Sequence, residues 1–203
     1  MKRPGSWCRV WLGTWLLLTL PWASHLGCAR PPDSDRAPIP SASTEAGTPV
    51  DPTLLAFLSR ARSAHHRADA FEEQGKLDQA IAELMRVVHG PVPRPTDAYP
   101  ETREVLADTH ARLADLRSRQ GQFAQALSDI QTGLDLAEAP TYFRGHLFEV
   151  RGLLEERRSQ ALREAGDETG AEQARQRALE AFDQAMTIQA KVIEGALGEE
   201  GAQ

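Results

Sequence analysis

Few residues in this chain have the type and spacing for covalent or metal chemistry. The 203-residue sequence holds two cysteines, Cys8 and Cys28, and six histidines. A thiolate is the strongest nucleophile available here, and Cys28 follows directly on His25-Leu26-Gly27. His65-His66 is the most tempting metal pair. Neighbours on a helix point about 100° apart, so they cannot easily share an ion, and the pair reads as a solvated surface feature. His110 and His146 sit beside apolar helical stripes and read as core-edge residues. Glu155-Glu156-Arg157-Arg158 reads as a solvated, self-paired helix face. The sequence contains no glycine-rich phosphate loop, no Gly-x-Ser-x-Gly and no His-Glu-x-x-His. The expectation is a protein that is not an enzyme and has no cofactor, no metal and no small-molecule substrate.

The segment before Cys28 explains why that cysteine matters. Lys2 and Arg3 precede an apolar run from Val10 to Ala23, broken by Pro21. That run is short for a bilayer span and fits the core of an export signal. Trp7, Trp11, Trp15 and Trp22 all belong to it. The His25-Leu26-Gly27-Cys28 box resembles the cleavage site of bacterial lipoproteins. The resemblance implies removal of residues 1–27 and acylation of Cys28, with ordinary secretory cleavage or a retained anchor as the alternatives. Each acyl chain contributes about 0.8 kcal/mol per buried methylene, so several chains hold firmly. Ala29 resembles the sorting position of lipoproteins sent to the outer membrane. The expected location is therefore the periplasmic face of that membrane, with the lipid anchor as the membrane contact. Residues 28–50 carry Pro31, Pro32, Pro38, Pro40 and Pro49 among small polar residues, a composition that predicts a disordered tether.

Beyond the tether, two stretches echo each other. Gln74-Gly75-Lys76-Leu77-Asp78-Gln79-Ala80-Ile81 matches Gln120-Gly121-Gln122-Phe123-Ala124-Gln125-Ala126-Leu127, and a fainter copy runs from Ala165 to Ala171. The glycines are spaced 121 − 75 = 46 and 166 − 121 = 45 residues apart. A period of this size predicts stacked helical hairpins, with each glycine reversing the chain. Ala68, Phe71, Gly75, Leu77, Ala80, Ile81 and Leu84 are similar to the tetratricopeptide-repeat family. So are Ala114, Gly121, Phe123, Ala126, Leu127 and Ile130. The third copy departs at Thr169-Gly170. The units also exceed the family's repeat of about 34 residues.

Composition agrees with an all-α class. Net charge is −6 and charged residues make up 26%, which gives no basic footprint for nucleic acid. Apolar residues at helical spacing predict six helices, forming three antiparallel hairpins over residues 51–197, with a frayed tail at 198–203. Asp51-Pro52 opens the first helix and Pro100 the third. A capping box at Thr169–Glu172 is expected to start the sixth. That helix is expected to bury Ala174, Ala178, Phe182, Ala185, Met186, Ile188 and Val192.

In the family that the repeats resemble, the first helix of each hairpin lines a concave groove for a partner. Projecting this pattern places Arg62, His65, Asp69, Glu72, Asp108, Ala111, Asp115, Arg119, Glu156, Gln160 and Arg163 in the groove. The first half of that lining reads as acidic, suited to a basic or amphipathic segment of another envelope protein. The alternative is a set of solvated polar residues on a helical spacer that binds nothing. A third possibility is a secreted, unanchored form. The chain has no asparagine and only Lys2, Lys76 and Lys191 as lysines. The asparagine-lysine grip that some family members apply to a carboxylate-ended tail is therefore excluded.

Overall fold

The computed structural model describes residues 51–96 and 99–200. The expected export signal, Cys28 and the tether lie outside the described residues. Six helices are present among them, and no strand: α1 Pro52–Glu73, α2 Leu77–Val88, α3 Pro100–Arg119, α4 Phe123–Leu136, α5 Tyr142–Glu164 and α6 Glu168–Glu200. The chain is all-α, as its composition predicts.

Each hairpin turns on the same device. Gly75, Gly121 and Gly166 have φ of 72°, 75° and 83°, in the left-handed region that glycine enters without steric cost. At the second turn Gly121 N donates to Ser118 O at 3.0 Å and Gln122 N donates to Arg117 O at 2.9 Å. The other two turns repeat this pair of bonds at the matching residues. Such crossed bonds satisfy carbonyls that a helix end would otherwise leave open. Leu77 and Phe123 then pack into their corners, against separate core clusters.

The hairpins α1–α2, α3–α4 and α5–α6 stack in chain order, with α2 on α3 and α4 on α5. Packing also joins α1 to α3 and α3 to α5, so the first helices of the hairpins stand side by side. Every core cluster draws on two neighbouring hairpins. One joins Ala68, Ala80 and Leu84 to Leu113 and Leu116, and another joins Ile130 to Leu147, Leu154 and Ala185. Burying a leucine contributes about 1.5–3 kcal/mol, so no hairpin is an independent unit energetically. Ala80 and Ala126 are both fully buried, where a larger side chain would hold the helices apart.

Glycines tighten the later contacts. A Cβ on Gly152 of α5 would lie 2.5 Å from the Phe182 ring of α6, and one on Gly133 of α4 would lie 2.5 Å from Leu147 of α5. At the start of α1, Asp51 Oδ1 accepts from Thr53 N at 2.7 Å, and Tyr99 donates its hydroxyl to the other oxygen. The Tyr99 bond holds the Asp51 carboxyl below its ordinary range. One aspartate thus caps α1 and ties it to the residue before α3.

The last helix differs from expectation in three ways. It begins at Glu168, before the Thr169–Glu172 box. Asp167 is the capping residue, its carboxylate accepting from Gly170 N at 2.8 Å. Its backbone stays helical to Glu200, three residues past the expected domain end at 197 (200 − 197). Met186, expected in the core, is 60% exposed. α6 packs on α5 alone, and Leu179, Met186, Ile193 and Leu197 remain on its open side.

Candidate functional site

The polar residues of α1, α3 and α5 meet where those helices align. Arg112 of α3 donates to Asp69 of α1 at 2.7 Å and to Glu72 at 2.8 Å. Arg119 pairs with Glu72 and lies 3.7 Å from Asp115. Arg157 of α5 closes the set, 2.9 Å from Asp115 and bonded to Ser118 Oγ at 2.7 Å. Burial opposes the charge on Glu72, but the Arg119 hydrogen bond and nearby Arg112 outweigh it and hold the carboxyl below its usual value. The bond from Glu72 in turn raises Arg119.

The structure therefore brings His65, Asp69, Glu72, Asp108, Asp115 and Arg119 together, and it adds Arg112 and Arg157. These two arginines neutralise what reads as an acidic half. Helical spacing alone does not single them out, because it does not show how far a guanidinium reaches. Arg62, Glu156, Gln160 and Arg163 are exposed. Gln160 donates to Glu164 at 2.9 Å. Ala111 is a correction: it is 0% exposed and packs in the core with Ala107, Ala114 and Ala126, so no partner can touch it.

His65 is half-buried, not part of a solvated pair. Thr109 Oγ1 donates its only proton to Val105 O at 2.7 Å, so the 2.9 Å contact to His65 Nε2 requires that nitrogen to be the donor. Nδ1 then presents a lone pair 3.8 Å from Asp108. Burial pushes the imidazole pKa down, against the opposing pull of Asp108. Asp108 has no arginine within ion-pairing distance among the described residues, unlike Asp69, Glu72 and Asp115. Among the described residues, no three His, Cys, Asp or Glu side chains gather closely enough to hold a metal.

Each hairpin also encloses one carboxylate. Glu83 and Asp129 fall at the same step after their turn glycines (83 − 75 = 129 − 121 = 8). Arg67 donates to Glu83 at 2.8 Å. His110 Nδ1 approaches Asp129 at 3.2 Å, and Arg117 donates to its other oxygen. His110, half-buried at the core edge, is thus also a partner of a buried acid. His146 is half-buried, beside Glu149 at 3.4 Å and stacked on Tyr142. In the third hairpin the acid moves to the first helix. Glu155, expected to be solvated, is 1% exposed and accepts from Arg177 of α6 at 3.1 Å. Within the four-residue charge run Arg158 pairs back, 3.7 Å from Glu155, while its neighbour Arg157 turns away to Asp115.

No protein family matches the sequence, and comparison with curated proteins finds no significant relative. Among the described residues, no helix is long and apolar enough to cross a membrane. The chain is an all-helical stack of hairpins whose polar face is assembled by α1, α3 and α5.

Proposed function

We propose that the chain is a lipid-anchored, periplasm-facing adaptor of tetratricopeptide-repeat type that holds a segment of another envelope protein. The observation that carries this reading is the alignment of α1, α3 and α5, whose polar residues form one continuous face. Within that face, Asp108 keeps a carboxylate not paired with arginine, beside an acceptor nitrogen of His65. A lysine or arginine from a partner segment would satisfy both. Cys28 supplies the acylated anchor in this reading, and the proline-rich tether lets the domain stand off the membrane.

A second reading, a helical spacer without a partner, draws support from the closed pairing of Asp69, Glu72 and Asp115 with arginines. Asp108→Lys separates the two. Under the adaptor reading, a protein co-purified from detergent-solubilised membranes is lost with Asp108→Lys and retained with Glu180→Lys on exposed α6. Identical recovery with both variants would leave the spacer reading standing.

A further inference from the structure

A recess of about 520 Å³ opens between α4, α5 and the start of α6, within the size range of small-ligand sites. It is lined by Leu127, Leu162, Asp167 and three arginines, Arg151, Arg158 and Arg177, with Glu155 among them. Asp167 is already engaged as the cap of α6. The formal balance of the ionisable lining is three arginines against two acids, 3 − 2 = +1. Arg177 and Arg158 both address one oxygen of Glu155, at 3.1 and 3.7 Å. Arg151 makes no hydrogen bond or ion pair among the described residues. The second oxygen of Glu155 is buried and has no hydrogen-bond partner.

A buried carboxylate oxygen without a donor costs about 1–3 kcal/mol or more, so the interhelical lock to Arg177 does not by itself account for the arrangement. A group that fits must bring negative charge to Arg151 and Arg158 and an N–H or O–H to Glu155. Sulfate or a plain carboxylate offers charge but no proton. An ammonium offers protons but meets three guanidinium groups. A phosphate that keeps one proton offers both, because its P–O⁻ oxygens accept from arginine and its P–OH donates to a carboxylate.

We propose that this recess binds a protonated phosphate, as inorganic phosphate or as the terminal group of a phosphate monoester. Arg151 and Arg158 hold the charged oxygens, and Glu155 accepts the P–OH proton in a hydrogen bond. The site faces α4 and α6 and is independent of the polar face on α1 and α3.

Calorimetric titration of the full chain in non-ionic detergent tests this at about pH 5.5, below the second phosphate pKa. Inorganic phosphate is expected to bind roughly tenfold or more tightly than sulfate, the worth of one hydrogen bond to a charged group. Glu155→Gln should erase that preference. Arg151→Ala should weaken both anions, and its half-exposed position keeps the test available if Glu155→Gln does not fold. Glycerol 3-phosphate binding at least as tightly as phosphate assigns the site to monoesters, and weaker binding assigns it to the free ion. Absence of phosphate binding at millimolar concentration overturns the proposal. So does equal affinity for sulfate and phosphate in the unsubstituted chain.

Discussion

Arg112 on α3 donates a 2.8 Å hydrogen bond to Glu72 on α1, across the joint between the first two hairpins. That contact couples the stacking of the helices to the charge of their shared face. Against the cost of burial, the Arg119 hydrogen bond and, after it, Arg112 hold Glu72 ionised at pH values where an ordinary glutamate would begin to protonate. A group with a depressed folded pKa stabilises the fold above its unfolded pKa, and that stability is lost as pH falls through the folded value.

Acid unfolding should therefore report this pair. Stability of the unsubstituted chain is expected to fall as pH drops below the ordinary glutamate value of about 4.3. Arg112→Gln should flatten that part of the profile while costing no more than about 1 kcal/mol at neutral pH, because both partners are partly exposed. Melting curves across the acid range provide the check. An unchanged acid limb would mean that Glu72 is not held by Arg112.

His65 adds a second pH dependence of the same sign, in a higher pH window. Its folded pKa lies below the ordinary histidine value, so the unfolded chain takes up the proton first. The melting temperature should decline as pH falls below about 6.5. His65→Gln keeps an N–H for Thr109 and should remove part of that decline. Equal slopes in the two proteins would contradict the assignment.

Gly152 and Phe182 set the spacing of the third hairpin. A methyl group at Gly152 meets the ring at 2.5 Å, so Gly152→Ala should destabilise the chain by about 1–3 kcal/mol. Adding Phe182→Leu should recover part of the loss, as neighbours that share a contact are not additive. Denaturant titration of the two single variants and the double variant measures the coupling. Strictly additive losses would place the strain elsewhere.

Arg117 faces a different consequence. It pairs with Asp129, whose side chain is 9% exposed. Removing one member of a buried pair strands the other charge, so Arg117→Met should cost about 3–5 kcal/mol. Asp129→Asn in the same background should restore much of it. Chemical denaturation that shows no loss for Arg117→Met would mean that His110 alone satisfies the aspartate.

The hairpins were legible in the sequence because their turns depend on one residue type. Only glycine enters the left-handed region freely, so Gly75, Gly121 and Gly166 mark three reversals at a regular interval. The alanines after the first two mark close helix contact for a similar reason, since bulk is excluded there. Side-chain chemistry was less legible. Glu155 looks like one member of a solvated charge run, yet it lies under α6, and nothing local distinguishes it from Glu156. Ala111 falls on the groove stripe by spacing but is buried in the core with Ala107, Ala114 and Ala126, because spacing alone does not show where a neighbouring hairpin covers the stripe. Asp167 and Thr169 can each open a helix, and the turn at Gly166 places Asp167 where Gly170 N needs an acceptor.

The central claim is that the face built by α1, α3 and α5 holds a partner while Cys28 ties the chain to a membrane. Cys28→Ser tests the anchor by fractionation, and the variant should leave the membrane fraction. The face is tested most directly by a photo-crosslinking residue placed at Arg62, Asp108 or Glu156 in living cells, with Glu180 on α6 as the control position. The account predicts one discrete cross-linked species from the three face positions and none from the control. Cross-links to nothing, or the same set from the face and the control, would contradict it.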